Sequence, residues 1–256
     1  ASVTYKGEYS SAFSDEYTGE VVIPSKVTFE GKEYSVTSIG DYAFISCRSL
    51  TSITIPESVT SIGKSAFGDC NSLTSITIPE SVTSIGENAF EYCSSLTSIT
   101  LPGSVKTIGE GAFNNCSSLT SIDVASNNNS YTSIDGVLFS KDKTILLKYP
   151  EGKKDVTSYV IPESVTEIGE DAFRDCNSLT SIDVALDNNN YTSIDGVLFS
   201  KDKTILIKYP EGKKDVTSYA IPESVTEIGS RAFYYCLSLT SITIPESVTS
   251  IGKYAF

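Results

Sequence analysis

Residues 50–72 read LTSITIPESVTSIGKSAFGDCNS, and this stretch recurs along most of the chain. Copies of it, some of them longer, begin at Leu50, Leu73, Leu96, Leu119, Val156, Leu179, Val216 and Leu239. An earlier copy begins near Thr18, where EVVIP replaces the usual opening. Because repeats of 20–50 residues mark solenoids, we predict a stack of about nine turns.

Each copy begins with residues that suit a short β-strand. Ile53 and Ile55 alternate with Ser52 and Thr54, so the isoleucines are expected to face inward and the hydroxyl groups outward. Pro56 then ends the strand, because proline cannot donate a ladder hydrogen bond. The sequence therefore predicts one strand per turn, with a polar outer face.

The second half of each copy continues the apolar set around a corner. Gly63 suits a tight bend, and the segment through Ala66, Phe67 and Cys70 is long enough for one short helical turn. A single copy cannot bury its apolar face alone. Stacking on neighbouring turns, with ladder hydrogen bonds between them, must supply the stability.

The unit L-x-x-I-x-I-P-x-x-V-x-x-I-G-x-x-A-F-x-x-C resembles the leucine-rich repeat of the BspA-like bacterial surface proteins, also called the Treponema pallidum-type repeat. The similarity spans residues 18–256. The stretch VVIPSKVTFEGKEYSVTSIGDYAF, residues 21–44, also resembles the opening turn of secreted members. The resemblance implies a secreted or surface-anchored protein that adheres to host proteins or to other cells.

We therefore predict an α/β leucine-rich repeat solenoid of mostly short parallel β-strands, with short helical turns and two projecting β-hairpins. Residues 1–17 are predicted to form an N-terminal cap segment, and residues 18–256 a single solenoid domain. Longer turns are expected at 18–49, 119–155 and 179–215, and the last turn is cut short at Phe256.

The two predicted hairpins lie in nearly identical stretches, residues 117–176 and 177–236. In each, VLF-SKDK-TIL places apolar residues on both sides of a polar turn, which is typical of a hairpin. We expect these hairpins to project from the flank of the stack, either as spacers that shield it or as binding knobs. Their aromatic and basic residues are candidate flank contacts: Lys148, Tyr149, Lys208 and Tyr209.

The composition argues against several classes of function. The chain has 19 Lys and Arg against 32 Asp and Glu, a net charge of −13, with three arginines and no histidine. Nucleic-acid binding needs clustered basic residues, and an anionic membrane surface would repel this charge. The longest apolar runs are far shorter than the ~20 residues of a membrane span. Neither a nucleic-acid partner nor direct membrane insertion is predicted.

No catalytic or metal-binding motif is present, and no cofactor is predicted. The six cysteines recur at one position of the repeat and form what we call the cysteine column: Cys47, Cys70, Cys93, Cys116, Cys176 and Cys236. Its apolar context predicts a ladder of buried free thiols, with some disulfide pairing as the alternative. The absence of C-x-x-C pairs and of histidine disfavours zinc and a cysteine nucleophile. The run of Asp and Asn at residues 187–190 offers oxygen ligands for calcium, but Asn-rich turns are also common for backbone reasons.

Two surfaces remain as candidate binding sites. The first is the outer face of the LTSITIP strands, which we call the Ser/Thr face and expect by analogy to be the concave sheet face. It carries Ser52, Thr54, Ser75, Thr77, Ser98, Thr100, Asp123 and Asp183. Sequence variation between copies concentrates instead beside the Ala-Phe pair, at positions that include Glu91, Tyr92, Arg174, Asp175, Tyr234 and Tyr235. Tyr234 and Tyr235 join the candidate flank contacts, because exposed tyrosines commonly anchor partners.

These observations favour a monomeric, non-catalytic binding module that is extracellular or anchored to the cell surface. Its expected partner is a protein, such as a host extracellular-matrix protein or plasma glycoprotein. Two alternatives stay open at this point. The chain could be a structural spacer that presents another domain, or the Ser/Thr face could bind carbohydrate.

Overall fold

The computed structural model describes residues 1–4 and 17–256. Most of the predicted cap segment, residues 5–16, therefore lies outside the described residues. The chain divides into two compact units, residues 1–142 (unit 1) and residues 143–256 (unit 2). Both are built from short β-strands joined by turns, and the described residues contain no helix.

The strands of unit 1 are β1 Ser2–Val3, β2 Gly19–Val22, β3 Lys26–Phe29, β4 Lys32–Ser35, β5 Ser38–Ile39, β6 Leu50–Thr54, β7 Ser61–Ile62, β8 Ser84–Ile85, β9 Ser98–Leu101, β10 Thr107–Ile108, β11 Ser121–Val124, β12 Tyr131–Ile134 and β13 Val137–Ser140. Those of unit 2 are β14 Ile145–Lys148, β15 Ser158–Ile161, β16 Glu167–Ile168, β17 Ser181–Val184, β18 Tyr191–Ile194, β19 Val197–Ser200, β20 Ile205–Lys208, β21 Ser218–Ala220, β22 Glu227–Ile228, β23 Ser241–Thr243 and β24 Ser250–Ile251.

The longest sheet of unit 1 is built from the VTSIG segments. It is parallel, in the order β1-β5-β7-β8-β10, and its isoleucines at 39, 62 and 85 are buried. The LTSITIP strands pair only two by two, as β2 with β6 and β9 with β11. Between them the bonds from Thr74 N to Thr51 O and from Thr97 N to Thr74 O lengthen to 3.4 Å. Analogy with other leucine-rich repeats predicts that the LTSITIP strands form the continuous sheet. In unit 1 the VTSIG segments form it instead.

The short helical turns predicted at the Ala-Phe corners are wrong, and backbone hydrogen bonding gives the reason. In the first corner, alternate N–H groups donate to the next turn, from Tyr42 to Lys64 O at 2.8 Å and from Phe44 to Ala66 O at 2.7 Å. A helix would direct those donors to carbonyls four residues back. Residues in the left-handed region, such as Tyr42 with φ 60°, turn the chain between these donors. Stacking thus replaces local helix formation.

The core of unit 1 is a ladder of identical side chains. Phe44, Phe67, Phe90 and Phe113 stack nearly parallel, with successive ring centroids 5.2, 5.3 and 5.8 Å apart. The thiols of Cys70, Cys93 and Cys116 donate to phenylalanine carbonyls of the preceding turn, as Cys70 does to Phe44 O at 3.1 Å. None of the six cysteines, all of them among the described residues, forms a disulfide, and all except the half-buried Cys236 are buried. The prediction of a buried thiol ladder is confirmed for those five.

The hairpins form, but the prediction that they project is wrong. In unit 2, β19 pairs antiparallel with both β18 and β20, and β20 then pairs parallel with β22. Strand β20 therefore occupies a ladder position within the stack. Val197, Phe199 and Leu206 are buried, because apolar residues on both sides of the polar turn favour burial over projection. In unit 1, strand β13, which opens the other predicted hairpin, pairs antiparallel with β12, and its Val137, Leu138 and Phe139 are buried.

Candidate functional site

The Ser/Thr face of unit 1 is a flat array of exposed hydroxyl groups. Thr54, Ser75, Thr77, Ser98 and Thr100 are exposed and Ser52 is half-buried. The register of β9 and β11 sets Ser98 beside Ser121 and Thr100 beside Asp123. The Ser121 hydroxyl donates to Asp123 Oδ1 at 2.7 Å. The face therefore presents hydrogen-bonding groups at strand spacing, with a carboxylate held in place among them.

The equivalent face of unit 2 fixes Asp183 more firmly. Its Oδ2 accepts hydrogen bonds from the hydroxyls of Ser158, at 2.9 Å, and Ser181, at 2.8 Å. Val160 and Ala220 interrupt the polar array here. The residues predicted for this face are thus at the surface in both units, and whether they contact a ligand stays a prediction.

Four of the predicted flank contacts are not at the surface. Tyr149 and Tyr209 are 2% and 1% exposed, and Lys148 and Lys208 are 5% and 8% exposed. The Tyr209 N–H donates to Ala232 O at 2.8 Å, which is the bond that Phe44 makes to Ala66. Each tyrosine therefore takes the ladder place of a phenylalanine, and the expectation of solvent contact is wrong for these four residues.

Buried ion pairs accompany the two tyrosines. Lys148 Nζ lies 2.8 Å from Glu151 Oε1, and Lys208 Nζ lies 2.7 Å from Glu211 Oε1. Burial raises the pKa of Glu211, while the Lys208 ammonium opposes that shift. A buried lysine is tolerated when it is paired in this way, which explains why its charge did not force it to the surface.

The remaining candidates, Tyr234 and Tyr235, lie at a surface that we call the loop edge. It comprises the two residues before and the two residues after the Ala-Phe pair of each turn. Tyr235 is 48% exposed, and its ring meets that of Tyr234 edge-on at 4.6 Å. In unit 1 the same position, the second after Ala-Phe, holds Tyr92, which is also 48% exposed. Both have left-handed backbone, with φ of 61° for Tyr92 and 55° for Tyr235.

Three guanidinium groups also contact carboxylates of the loop edge, a feature that sequence reasoning missed. Arg48 donates to Asp69 Oδ2 in unit 1, from Nε at 3.0 Å and from Nη2 at 2.6 Å. In unit 2, Arg174 lies 3.3 Å from an Asp175 carboxylate oxygen and over the Tyr234 ring. The third and last arginine of the chain is Arg231. The scarcity of arginine was a signal in the sequence, but it was used only to exclude nucleic acid.

Arg231 joins two turns of the loop edge in unit 2. Its Nη1 lies 2.8 Å from Glu170 Oε1 and 2.9 Å from Asp171 Oδ1. Its guanidinium carbon also lies 5.6 Å from the centre of the Tyr254 ring. Two carboxylates and one tyrosine ring from neighbouring turns therefore lie against this guanidinium group.

A concave feature accompanies the loop edge in each unit. The groove of unit 1 has a volume of about 330 Å³ and is lined by residues that include Ile45, Ser65, Gly68, Asp69, Glu91 and Tyr92. The pocket of unit 2 has a volume of about 130 Å³, and its lining includes Phe173, Arg174, Ile207, Arg231 and Tyr234. The lining of each feature combines apolar with charged and aromatic side chains, a composition that suits protein side chains.

Two candidate chemistries, metal binding and a cysteine nucleophile, can be compared with the described residues. They contain no group of three or more His, Cys, Asp or Glu placed to hold a metal ion. Burial raises the pKa of the Cys93 thiol well above its usual value, which disfavours the nucleophilic thiolate. Of the Asn-rich loop, Asn188 Oδ1 accepts from Asn190 N and Tyr191 N, both at 2.8 Å. The Asn188 side chain therefore stabilises its own turn, which agrees with the interpretation that the loop is rich in Asn for backbone reasons.

The part of the chain that the structure describes holds no helix long and apolar enough to span a membrane. The family model of the BspA type leucine-rich repeat region matches the chain in six copies, over residues 37–160, 148–220 and 211–256. None of the curated proteins matches it.

Several solved structures are similar. A leucine-rich cell surface protein from Faecalibacterium prausnitzii is 33% identical over 93% of the chain, with a TM-score of 0.57. The pneumococcal vaccine antigen PcpA is 29% identical over the whole chain, with a TM-score of 0.54. A leucine-rich repeat protein from Eubacterium ventriosum is 28% identical over 88%, with a TM-score of 0.52. The chain spans 66%, 60% and 57% of the lengths of these three proteins, respectively.

Proposed function

The chain belongs to the BspA-type leucine-rich repeat family, and from this premise we propose that it is a non-catalytic, protein-binding module of a secreted or surface-anchored bacterial protein. Leucine-rich repeat proteins of this kind are generally scaffolds rather than enzymes, and they generally bind proteins. Two of the similar structures are described as a cell surface protein and a vaccine antigen, which supports a location outside the cell. Adhesion to host proteins is the role we propose.

One observation carries the proposal: exposed tyrosines occupy the same loop-edge position beside a concave feature in both units. Tyr92 borders the groove of unit 1, and Tyr235 is the neighbour of Tyr234, which lines the pocket of unit 2. Tyrosine and arginine dominate the energetics of protein interfaces. The loop edge is therefore the surface that best fits a protein ligand.

Binding by the immobilised chain to a panel of host matrix proteins and plasma glycoproteins tests this proposal. We expect saturable binding to at least one protein, weakened about tenfold or more by the double variant Tyr92→Ala/Tyr235→Ala, because each truncated anchor commonly costs over 1 kcal/mol. Tyr34→Ala is the matched control, since Tyr34 is 38% exposed but lies on β4, away from the loop edge. Absence of binding across the panel would count against adhesion.

The Ser/Thr face is a second candidate surface because Asp123 and Asp183 are held there by serine hydroxyls. A fixed carboxylate in an array of hydroxyl groups suits hydrogen bonding to a polypeptide backbone. The double variant Asp123→Lys/Asp183→Lys distinguishes the two surfaces. If it abolishes binding while the tyrosine variant does not, the ligand contacts the Ser/Thr face instead of the loop edge.

A further inference from the structure

The hairpin formed by β3 and β4 in unit 1 is exposed along its whole length, unlike the hairpin strands β13 and β19. At its base the Val36 N–H donates to Ser25 O at 2.9 Å, and the Ser58 hydroxyl donates to Val36 O at 2.7 Å. The turn residues Glu30 and Gly31 have φ of 49° and 74°, the left-handed pair that a two-residue hairpin turn favours. Every residue of both strands is exposed. The hairpin therefore has a defined backbone, and solvent reaches both of its faces.

One face of this hairpin is apolar. The register sets Val27 opposite Tyr34 and Phe29 opposite Lys32. Because side chains alternate along a strand, these four residues share one face. Val27, Phe29 and Tyr34 are 38%, 65% and 38% exposed. The opposite face is polar and carries Lys26, Thr28, Glu33 and Ser35. The hairpin is thus a small amphipathic sheet whose apolar face is exposed.

One edge of the hairpin offers unpaired backbone groups. The bond at its base joins a hydrogen-bonded pair, so the alternation of an antiparallel ladder directs the N–H and C=O groups of Lys26 and Thr28 away from β4. Among the described strands, β3 pairs only with β4. At the other edge, the Ala1 ammonium group donates to Ser35 O. Strand β3 is therefore the edge that is open to a further strand.

The open edge and the apolar face favour an extended segment of another protein over a second copy of this chain. Three apolar side chains from each copy would bury far less than the roughly 1,200 Å² of a stable interface. A strand added to β3 gains main-chain hydrogen bonds as well as contacts of alternate side chains. Unit 1 contains 7 Lys and Arg against 16 Asp and Glu, a formal charge of −9. Complementary charge therefore favours a basic segment.

We propose that β3 binds an extended, basic segment of a protein partner, whose apolar side chains at alternate positions pack against Val27 and Phe29. The N–H and C=O groups of the segment pair with those of Lys26 and Thr28, and the hairpin becomes a three-stranded sheet. An isolated two-stranded hairpin is marginally stable, so the third strand also stabilises it. The inference goes beyond the proposed function, because it adds a second surface apart from the loop edge.

A peptide titration on the whole chain, followed by amide hydrogen exchange, tests the proposal. The probe is a short peptide in which valine alternates with lysine or serine. A scrambled peptide of the same composition and a peptide with glutamate in place of lysine are compared with it. We expect the alternating basic peptide to bind about fivefold or more tightly than either. At saturation it should slow exchange of the Lys26 and Thr28 amides about tenfold.

Methylation of the peptide backbone distinguishes strand addition from adhesion of apolar side chains. When the valines pack on Val27 and Phe29, the N–H groups of the lysine and serine positions face β3. N-methylation at those positions should therefore abolish binding, and N-methylation of the valines should leave it intact. Equal effects of the two methylation patterns, or equal binding of the scrambled and alternating peptides, would overturn the proposal.

Two proline variants provide a matched pair within the hairpin. Thr28 and Glu33 lie opposite each other, and the N–H of each faces away from the partner strand. Thr28→Pro removes a donor from the β3 edge without breaking a hairpin bond, and it should weaken peptide binding about tenfold or more. Glu33→Pro does the same at the β4 edge and should change affinity less than about twofold. Phe29→Ser, which leaves the backbone donors in place, should weaken binding about fivefold. Equal effects of the two proline variants would contradict the choice of edge.

The outcome is separable from that of the proposed function. If the alternating peptide does not bind, the β3 proposal fails, while binding of a panel protein that is lost in Tyr92→Ala/Tyr235→Ala still supports the loop edge. A panel protein whose binding falls with Tyr34→Ala but not with the loop-edge variant contacts the hairpin, which supports the β3 proposal. If sedimentation detects a dimer that Thr28→Pro abolishes, a second copy occupies β3 and the proposal is wrong. Circular dichroism and thermal unfolding of each variant would show whether a loss of binding reflects a loss of fold.

Discussion

The short turns of unit 1 and the long turn at residues 179–215 in unit 2 solve the same stacking problem with different side chains. In the short turns, phenylalanine rings stack nearly parallel and thiols donate to the carbonyls beside them. In the long turn, Tyr209 takes the phenylalanine place, and it meets Tyr219 edge-on with the centroids 5.0 Å apart.

The long turn also brings charge into the interior. The Lys208–Glu211 pair is buried, with side chains 10% and 0% exposed, whereas Lys64 and Glu87, an ion pair between short turns, are 42% and 49% exposed. The comparison teaches that the ladder position, not the residue type, decides burial in this fold. Neighbouring turns cover any residue at a ladder position. Its polar groups therefore need hydrogen-bond or ion-pair partners within the stack.

The largest effect that would test this comparison is expected from Glu211→Ala. It leaves the Lys208 ammonium buried without its partner, so we expect the free energy of unfolding in urea to fall by about 3–5 kcal/mol. Lys64→Ala, which breaks the exposed pair of the short turns, should cost less than about 1 kcal/mol. The double variant Lys208→Met/Glu211→Leu should recover most of the loss. Equal costs for the two single variants would contradict the comparison.

Thiol reactivity tests whether the half-buried Cys236 of unit 2 is more accessible than the buried cysteines of the short turns. Cys236 is half-buried, and burial raises its pKa to about 12. Thiolate is the reactive form, but a thiolate of higher pKa is also intrinsically more nucleophilic, so we expect iodoacetamide to alkylate Cys236 on the order of 10²-fold more slowly than a free cysteine at pH 8. A raised pKa also means that the rate should rise about tenfold per pH unit between pH 7 and 10.

The buried thiols of the short turns provide the internal control for this measurement. Cys70, Cys93 and Cys116 have no exposed surface, so mass spectrometry should find them unmodified until urea unfolds the chain. Alkylation of these three at the rate of Cys236 would show that the two parts of the column are equally open.

The smallest effect concerns the tyrosines of the long turn. Among the described residues, no hydrogen-bond partner reaches the buried Tyr209 hydroxyl, whereas the Tyr191 hydroxyl donates to Thr166 O at 3.1 Å. We expect Tyr209→Phe to raise the free energy of unfolding by about 1 kcal/mol and Tyr191→Phe to lower it by a similar amount. Changes of the same sign in both variants would contradict this difference between the two hydroxyl groups.

The candidate site was predictable only in part. The sequence named the variable positions beside Ala-Phe, including Tyr92 and Tyr235, because copies of a repeat reveal where side chains are unconstrained. It could not place Arg174 against Asp175 and Tyr234, since the last of these belongs to a different turn, and contacts between turns depend on how the turns align. It also assigned Lys148 and Tyr149 to the surface because isolated residue types suggest exposure.

The sequence by itself determined the repeat, the family and the identity of the inward residues, because a 23-residue period puts the same side chain at the same height of every turn. Only the tertiary structure decided the backbone of the corners, where Phe44 N–H donates to Ala66 O rather than within its own turn. It also decided the burial of Lys208 and Tyr209. Both outcomes depend on groups that a neighbouring turn supplies, and no single copy of the repeat contains them.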